Sequence, residues 1–271
     1  MISESMITLS TDQRFGRKGK HRLILISALY LLLCSAAAIG LAASARDKFS
    51  VERAPVVALF MSSAVLILIF IPLWGVDRGI LWKRSIRRQP VAAEFPRNAL
   101  AQWTLSVRPA LIFCTVPCAA ALIARVLFGG IPLSDLLPTS FLVLSFAACA
   151  LVLGLYCLLV CRCPYSSAGL ALLIIVFVCA EPVWIGPAIE STSHASALIQ
   201  GSLLINPFVG MASALHFDLF RTEPFYQICP IGQRRFYYPS WYSVAFLYLL
   251  VSSFLYWRSR VRLFKMAMPS T

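Results

Sequence analysis

Residues Leu136–Cys161 read LLPTSFLVLSFAACALVLGLYCLLVC, an apolar stretch without a single charged side chain. A helix of about 20 apolar residues crosses the hydrocarbon core of a bilayer, which is roughly 30 Å thick. The stretch is long enough for that purpose. It therefore predicts a membrane-spanning helix, with the bilayer as the solvent of this part of the chain.

Five other stretches come near the same length, and together the six predict an all-α, polytopic membrane protein. The predicted spans are Leu23–Ala45, Pro55–Val76, Val107–Phe128, Leu136–Cys161, Ser166–Ala188 and Ser240–Trp257. The composition agrees, because 59% of the 271 residues are hydrophobic and only 13% are charged. A mean hydropathy of +0.80 would make a soluble, single-core domain difficult to keep in solution.

Lys and Arg concentrate in three segments, residues 1–22, 77–106 and 258–271, and this asymmetry sets the predicted orientation. Segments rich in these residues stay in the cytoplasm. The protein is therefore predicted to lie in a plasma or inner membrane with both termini on the cytoplasmic side. The chain then divides into a basic tail at 1–22, a six-helix domain at 23–257 and a second basic tail at 258–271. The net charge of +13 lies at the ends of apolar runs, which favours membrane lipids over nucleic acid as partners.

The cytoplasmic connection Asp77–Ser106 is long enough to form structure of its own. Trp82 and Ile86 are one helical turn apart, and basic residues occupy the other angles, which predicts a short amphipathic helix at the membrane surface. A second short helix with Trp103 on its apolar side follows the prolines. The alternative is a charge cluster that only fixes topology, with aromatic side chains facing lipid.

The outer segment Ile189–Pro239 is long, weakly charged and still apolar. Asn206 followed by Pro207 is typical of an N-cap and first helical position, so we expect a helix from Pro207 to about Phe220. Because its side chains are apolar, this helix should lie in the interface or re-enter the bundle between the fifth and sixth spans. An aromatic belt is predicted at the outer start of the sixth span, formed by Phe236, Tyr237, Tyr238, Trp241 and Tyr242.

The sequence offers little for catalysis or metal binding. It contains no H-E-x-x-H, G-x-S-x-G or phosphate-loop motif, so we expect neither an enzyme nor a cofactor bound by this chain. Packing is the favoured role of Cys157, Cys161 and Cys163, over a metal site or acylation. Charged residues inside spans are costly, which singles out Glu181, next to Pro182. It is either a polar contact in a pathway or at a partner helix, or an interfacial carboxylate that reaches water. Arg125 could pair with Glu181, although extension of its side chain to the interface is favoured.

The layout resembles the membrane subunits of ABC-2 type ABC transporters across nearly the whole chain. Shared features are six spans with both ends inside, a structured connection after the second span, the short turn Cys161–Ala168, and the apolar Asn206-Pro207-Phe208 segment before the last span. The last of these is similar to the re-entrant outer helices of the family. The Gly-Thr-Leu motif that many members carry after the second span is absent from Glu94–Leu105.

The resemblance implies a permease, most often an exporter, that forms a path as a dimer with a second copy or a sister permease. Separate ATPase subunits would bind ATP and Mg. The expected coupling surface for those subunits consists of Arg84, Arg87, Arg88 and Trp103, and the expected outer gate consists of Asn206, Pro207 and Phe208. A scaffold or assembly subunit without transport is the main alternative, since no span shows a polar stripe for a hydrophilic substrate. An intramembrane enzyme is a third possibility, but it would need a convergent catalytic set.

Overall fold

Helices form nearly all the regular structure in the part of the chain that the computed structural model describes. This part comprises residues 65, 69–77, 79–80, 115, 132–161, 163–185, 195–221, 231 and 236–267, and it contains no strand. The helices are α1 (Leu133–Val160), α2 (Pro164–Trp184), α3 (Ala195–Ile205), α4 (Pro207–Ala214) and α5 (Trp241–Ala267), with a 3₁₀ turn at Leu219–Arg221. Residues 69–77 are also helical. The predicted first and third spans lie mostly or wholly outside these residues.

Helix α1 occupies the centre of the described helices and matches the predicted fourth span. It packs against α5, α2 and α4, and core residues such as Leu142, Val143 and Leu155 are almost fully buried. In its most apolar stretch 72% of the residues are buried, compared with 28% in α2. A helix that is apolar on all sides belongs in the interior of a bundle, which is where α1 lies.

A very short turn connects α1 to α2, as the sequence predicted. Cys161 and Cys163 both have extended backbone angles, and Pro164 takes the first helical position, where its missing N–H is not needed. Helix α2 therefore starts at once and runs antiparallel beside α1. Its outer face is apolar and exposed, with Leu173 67% accessible. Such a face suits lipid or another helix in the membrane.

The helical segment 69–77, part of the predicted second span, crosses α1 at two glycines. A Cβ atom on Gly75 would overlap the carbonyl of Leu151, and one on Gly154 would overlap the carbonyl of Pro72. Small residues allow two backbones to approach closely where apolar packing alone cannot drive association in lipid. The two glycines thus fix where these helices cross.

Helix α5 contains the predicted sixth span and extends beyond it to Ala267. It packs on α1 through Val244, Ala245 and Tyr248, whose ring meets Phe146 edge-on at 4.8 Å between centroids. Near its far end, Arg262 donates to the Leu159 carbonyl in the last turn of α1 at 3.5 Å. That carbonyl has no helical donor of its own, so α5 also caps α1.

Two described helices, α1 and α2, are long and apolar enough to cross a membrane, and the pair α3–α4 is a third if it counts as one bent span. The sixth predicted span, within α5, falls short of that criterion because aromatic and polar side chains lower its hydropathy. The described part of the chain is therefore all-helical, and its apolar helices indicate a membrane protein.

Candidate functional site, a broken helix between α2 and α5

Between α2 and α5 the described residues include two short helices, α3 and α4, that meet at 84°. Asn206 stands at the break with extended backbone angles, and Pro207 opens α4. The Asn206 Oδ1 accepts hydrogen bonds from the N–H groups of Phe208 at 3.0 Å and Val209 at 3.3 Å. The predicted N-cap is confirmed, since these are the donors that a helix start leaves unpaired.

The predicted end of this helix at Phe220 is wrong, because α4 ends at Ala214. His216 adopts a left-handed conformation with φ of 50°. The N–H of Phe217 then donates to the Ala212 carbonyl at 2.8 Å, and the N–H of His216 donates to the Ser213 carbonyl at 3.2 Å. This is a Schellman ending, with histidine where glycine is usual. Because the ending contains neither glycine nor proline, the sequence carries no local signal for it.

Helix α4 is a buried element rather than a surface helix. Pro207, Val209 and Met211 are buried, and Phe208 packs against the same core as α1. Gly210 faces α5 and α1: an added Cβ would lie 2.8 Å from Val244 Cγ1 and 2.9 Å from Leu142 Cδ1. Helix α4 thus packs among the described helices, and its placement as a re-entrant or interfacial helix stays a prediction.

The side chain of Asn206 also contacts α2. Its Nδ2 donates to the carbonyls of Cys179 at 2.9 Å and Val178 at 3.3 Å. The Val178 carbonyl would normally accept from the residue four positions later, but Pro182 has no N–H to give. Asn206 therefore completes a hydrogen bond that the proline removes.

Glu181 lies three residues after Val178 in α2, on the same face of that helix. It is only 7% exposed, and Ser202 of α3 donates to its Oε2. The partner that the structure shows is a helix of the same chain, and a role of Glu181 in a pathway or at a partner helix stays a prediction. Pairing with Arg125 stays a prediction, because that residue lies outside the described part.

A third polar contact joins the break to α5, where the Tyr248 hydroxyl donates to the carbonyl of Ile205. That carbonyl ends α3, and its usual donor, the N–H of Val209, is engaged by Asn206 instead. Sequence reasoning missed both Tyr248 and Ser202. A hydroxyl in the middle of an apolar span is a signal for such a contact, but it does not reveal the partner.

Aromatic rings form a second cluster beside this site, packed with Leu203 of α3 and Val209 of α4. Phe220, Phe236 and Tyr238 pack together, with centroids 5.3 to 6.1 Å apart. Tyr238 donates to Asp218 Oδ1 at 2.8 Å, and burial raises the pKa of its hydroxyl. Part of the predicted belt therefore turns inward, whereas Tyr237 is 82% exposed and Tyr242 also faces outward.

The three cysteines near the turn differ in exposure: Cys157 is buried, Cys161 is half-buried and Cys163 is exposed. Backbone hydrogen bonds from Ser166 and Tyr165 at the start of α2 lower the pKa of the Cys163 thiol. Within the described residues no group of three His, Cys, Asp or Glu side chains could hold a metal ion.

The predicted coupling residues Arg84, Arg87, Arg88 and Trp103 lie outside the described residues, and their role stays a prediction. No family model, curated protein or solved structure matches this chain. The described residues establish the class: a helical protein with apolar helices of membrane-spanning length and, between α2 and α5, a broken helix pair whose second helix, α4, is buried.

Proposed function

We propose that this chain is the permease subunit of an ABC-2 type transporter, working as an exporter in the plasma or inner membrane. It would form a translocation path together with a second copy or a sister permease. Separate ATPase subunits would bind ATP and Mg and drive it. The resemblance of its sequence layout motivates this proposal, and the bent pair α3–α4 is the structural observation that supports it most.

The support comes from where the pair lies and how it is held. It sits between α2 and α5 in the chain, which is the position that the outer gate of such a permease requires. Val209, Met211 and Ala212 of α4 are fully buried, so the second helix of the pair is closely packed, as an outer gate would need. Polar contacts through Asn206, Ser202 and Tyr248 hold it in place, and such contacts are modest in strength.

The first test is purification of the tagged protein in mild detergent, with mass spectrometry of the proteins that accompany it and an ATPase assay. We expect a nucleotide-binding subunit in roughly equal amount, since the sequence has no phosphate loop of its own. Recovery of the intact protein from several detergents with no ATPase would contradict the proposal.

A second test addresses the coupling surface. Replacing Arg84, Arg87 and Arg88 together by alanine should leave the complex able to hydrolyse ATP but reduce transport in vesicles. The matched control replaces Arg258 and Arg260, which are exposed basic residues of α5 outside the proposed surface. Transport that stays coupled in the triple variant would remove this assignment.

The alternative is a scaffold or assembly subunit without transport. One observation favours it: the polar side chains near the helix break bond within the chain. Ser202 of α3 donates to Glu181 of α2, and Asn206 donates to two carbonyls of α2. Groups arranged in that way stabilise a fold. A stable complex with other membrane proteins, purified without any ATPase, would support this second function.

A further inference from the structure

Pro182 and Asn206 lie far apart in the chain but meet at one carbonyl group. The N–H of a residue in an α-helix donates to the carbonyl four residues earlier, so Pro182 deprives Val178 of its donor. The Asn206 Nδ2 lies 3.3 Å from that oxygen and 2.9 Å from the neighbouring oxygen of Cys179. In the apolar interior of a membrane protein, no water is available to donate a hydrogen bond to an unpaired carbonyl.

Asn206 is also the residue at which the chain bends. Its Oδ1 caps α4 while its Nδ2 binds α2, so one side chain ties the break to the neighbouring helix. The Ser202 contact with Glu181 lies one turn before the break, and the Tyr248 contact with Ile205 lies next to it. All three contacts cluster at the bend, and the rest of α4 is held by apolar packing.

We propose that Asn206 latches the bent pair α3–α4 to α2 by supplying the hydrogen-bond donor that Pro182 removes, and that release of this latch lets the pair move away from α1 and α5. The latch is a property of the chain by itself. It does not depend on the transporter assignment, because it can be tested on the purified protein without an ATPase.

The test is a double-mutant cycle with a buried thiol as the reporter. Ala212 is 0% exposed in α4, so Ala212→Cys should react with N-ethylmaleimide only when the pair moves. Asn206→Ser keeps a good N-cap but is too short to reach α2. Labelling of the peptide that contains position 212 is measured by mass spectrometry, which separates it from the native cysteines.

We expect Asn206→Ser to raise the labelling rate by about three- to twenty-fold, the range that corresponds to one interhelical hydrogen bond in a membrane protein. In a Pro182→Ala background the rise should be clearly smaller, since the alanine in that variant gives the Val178 carbonyl a helical donor. An equal rise in both backgrounds, or no rise with Pro182 present, would overturn the latch.

Two controls keep the result decisive. Gly201→Ala changes α3 where an added methyl group meets open space, so it should leave labelling unchanged. If Pro182→Ala or Ala212→Cys does not yield monodisperse protein, Pro182→Ser supplies the same N–H and Ala214→Cys supplies a second buried reporter. Failure of the latch in this assay leaves the search for an ATPase partner unaffected, and the reverse is also true.

Discussion

The side chain of Asn206 caps α4 and also binds two carbonyls of α2. Its cap function was predictable, because Asn before Pro is a local signal and the bonds go to residues two and three positions ahead. Its bonds to Val178 and Cys179 were not, since these residues are 28 and 27 positions away. The same holds for Glu181, whose position beside a proline marked it as unusual without showing that Ser202 is its partner.

The Glu181–Ser202 contact yields a prediction about stability. Ser202→Ala should lower the free energy of unfolding by about 1–3 kcal/mol, because it leaves a buried carboxyl group without its donor. Ser202→Ala combined with Glu181→Leu should cost less than Ser202→Ala alone, since both polar partners are then gone. Denaturation of the purified protein in detergent measures both values. A double variant that is less stable than the single one would contradict this account.

The exposed thiol of Cys163 yields a prediction about pH. Backbone N–H groups of Ser166 and Tyr165 stabilise its thiolate and lower its pKa, so the reactive form should appear at lower pH than in an ordinary cysteine. The rate of iodoacetamide modification at this peptide, measured across pH, should have its midpoint below that of the same peptide in protein denatured with detergent. A midpoint at or above the denatured value would contradict the assignment.

At the scale of elements, glycine positions decide how closely the helices pack. The sequence shows Gly210 and Gly201 as similar residues in short apolar segments, but only the structure separates them. A methyl group on Gly210 would press on Val244 of α5 and Leu142 of α1, whereas one on Gly201 meets nothing within 4 Å. The starts of α2 and α4 follow from local patterns, whereas such contacts depend on which helix lies alongside.

This contrast predicts opposite effects for two matched substitutions. Gly210→Ala should destabilise the protein by about 1–3 kcal/mol through overpacking. Gly201→Ala should be neutral or stabilise by up to about 1 kcal/mol, because alanine loses less backbone entropy in a helix. Thermal unfolding in detergent compares the two with the parent protein. Equal behaviour of both variants would show that α4 does not pack between α1 and α5.

At the scale of the whole molecule, the length of α2 sets the distance between the two ends of the packed helices. Helix α2 has 21 residues, which at 1.5 Å each gives roughly 31 Å, about the thickness of the hydrocarbon core. The turn with Cys163 lies at one end of α2, and the aromatic segment with Tyr237 lies at the start of α5. The charge asymmetry predicts that the turn is cytoplasmic.

Sided labelling checks this arrangement. In sealed vesicles of known orientation, an impermeant maleimide should react with Cys163 only from the cytoplasmic side and with Tyr237→Cys only from the opposite side. Both positions are well exposed, so lack of access would not explain a negative result. A Cys163→Ser variant provides the background for the second position. Labelling of both from one side would contradict the predicted orientation.

The sequence by itself determined the all-helical class of the described residues, most of the extent of α1, the short turn to α2, the cap at Asn206 and the unusual place of Glu181. These features depend on hydropathy and on backbone signals between residues close in the chain. Only the tertiary structure decided where α4 ends, which glycines meet a backbone or side chain, and which group replaces the donor that Pro182 lacks. A polar group in an apolar interior needs a partner, but its identity depends on which distant segments pack beside it.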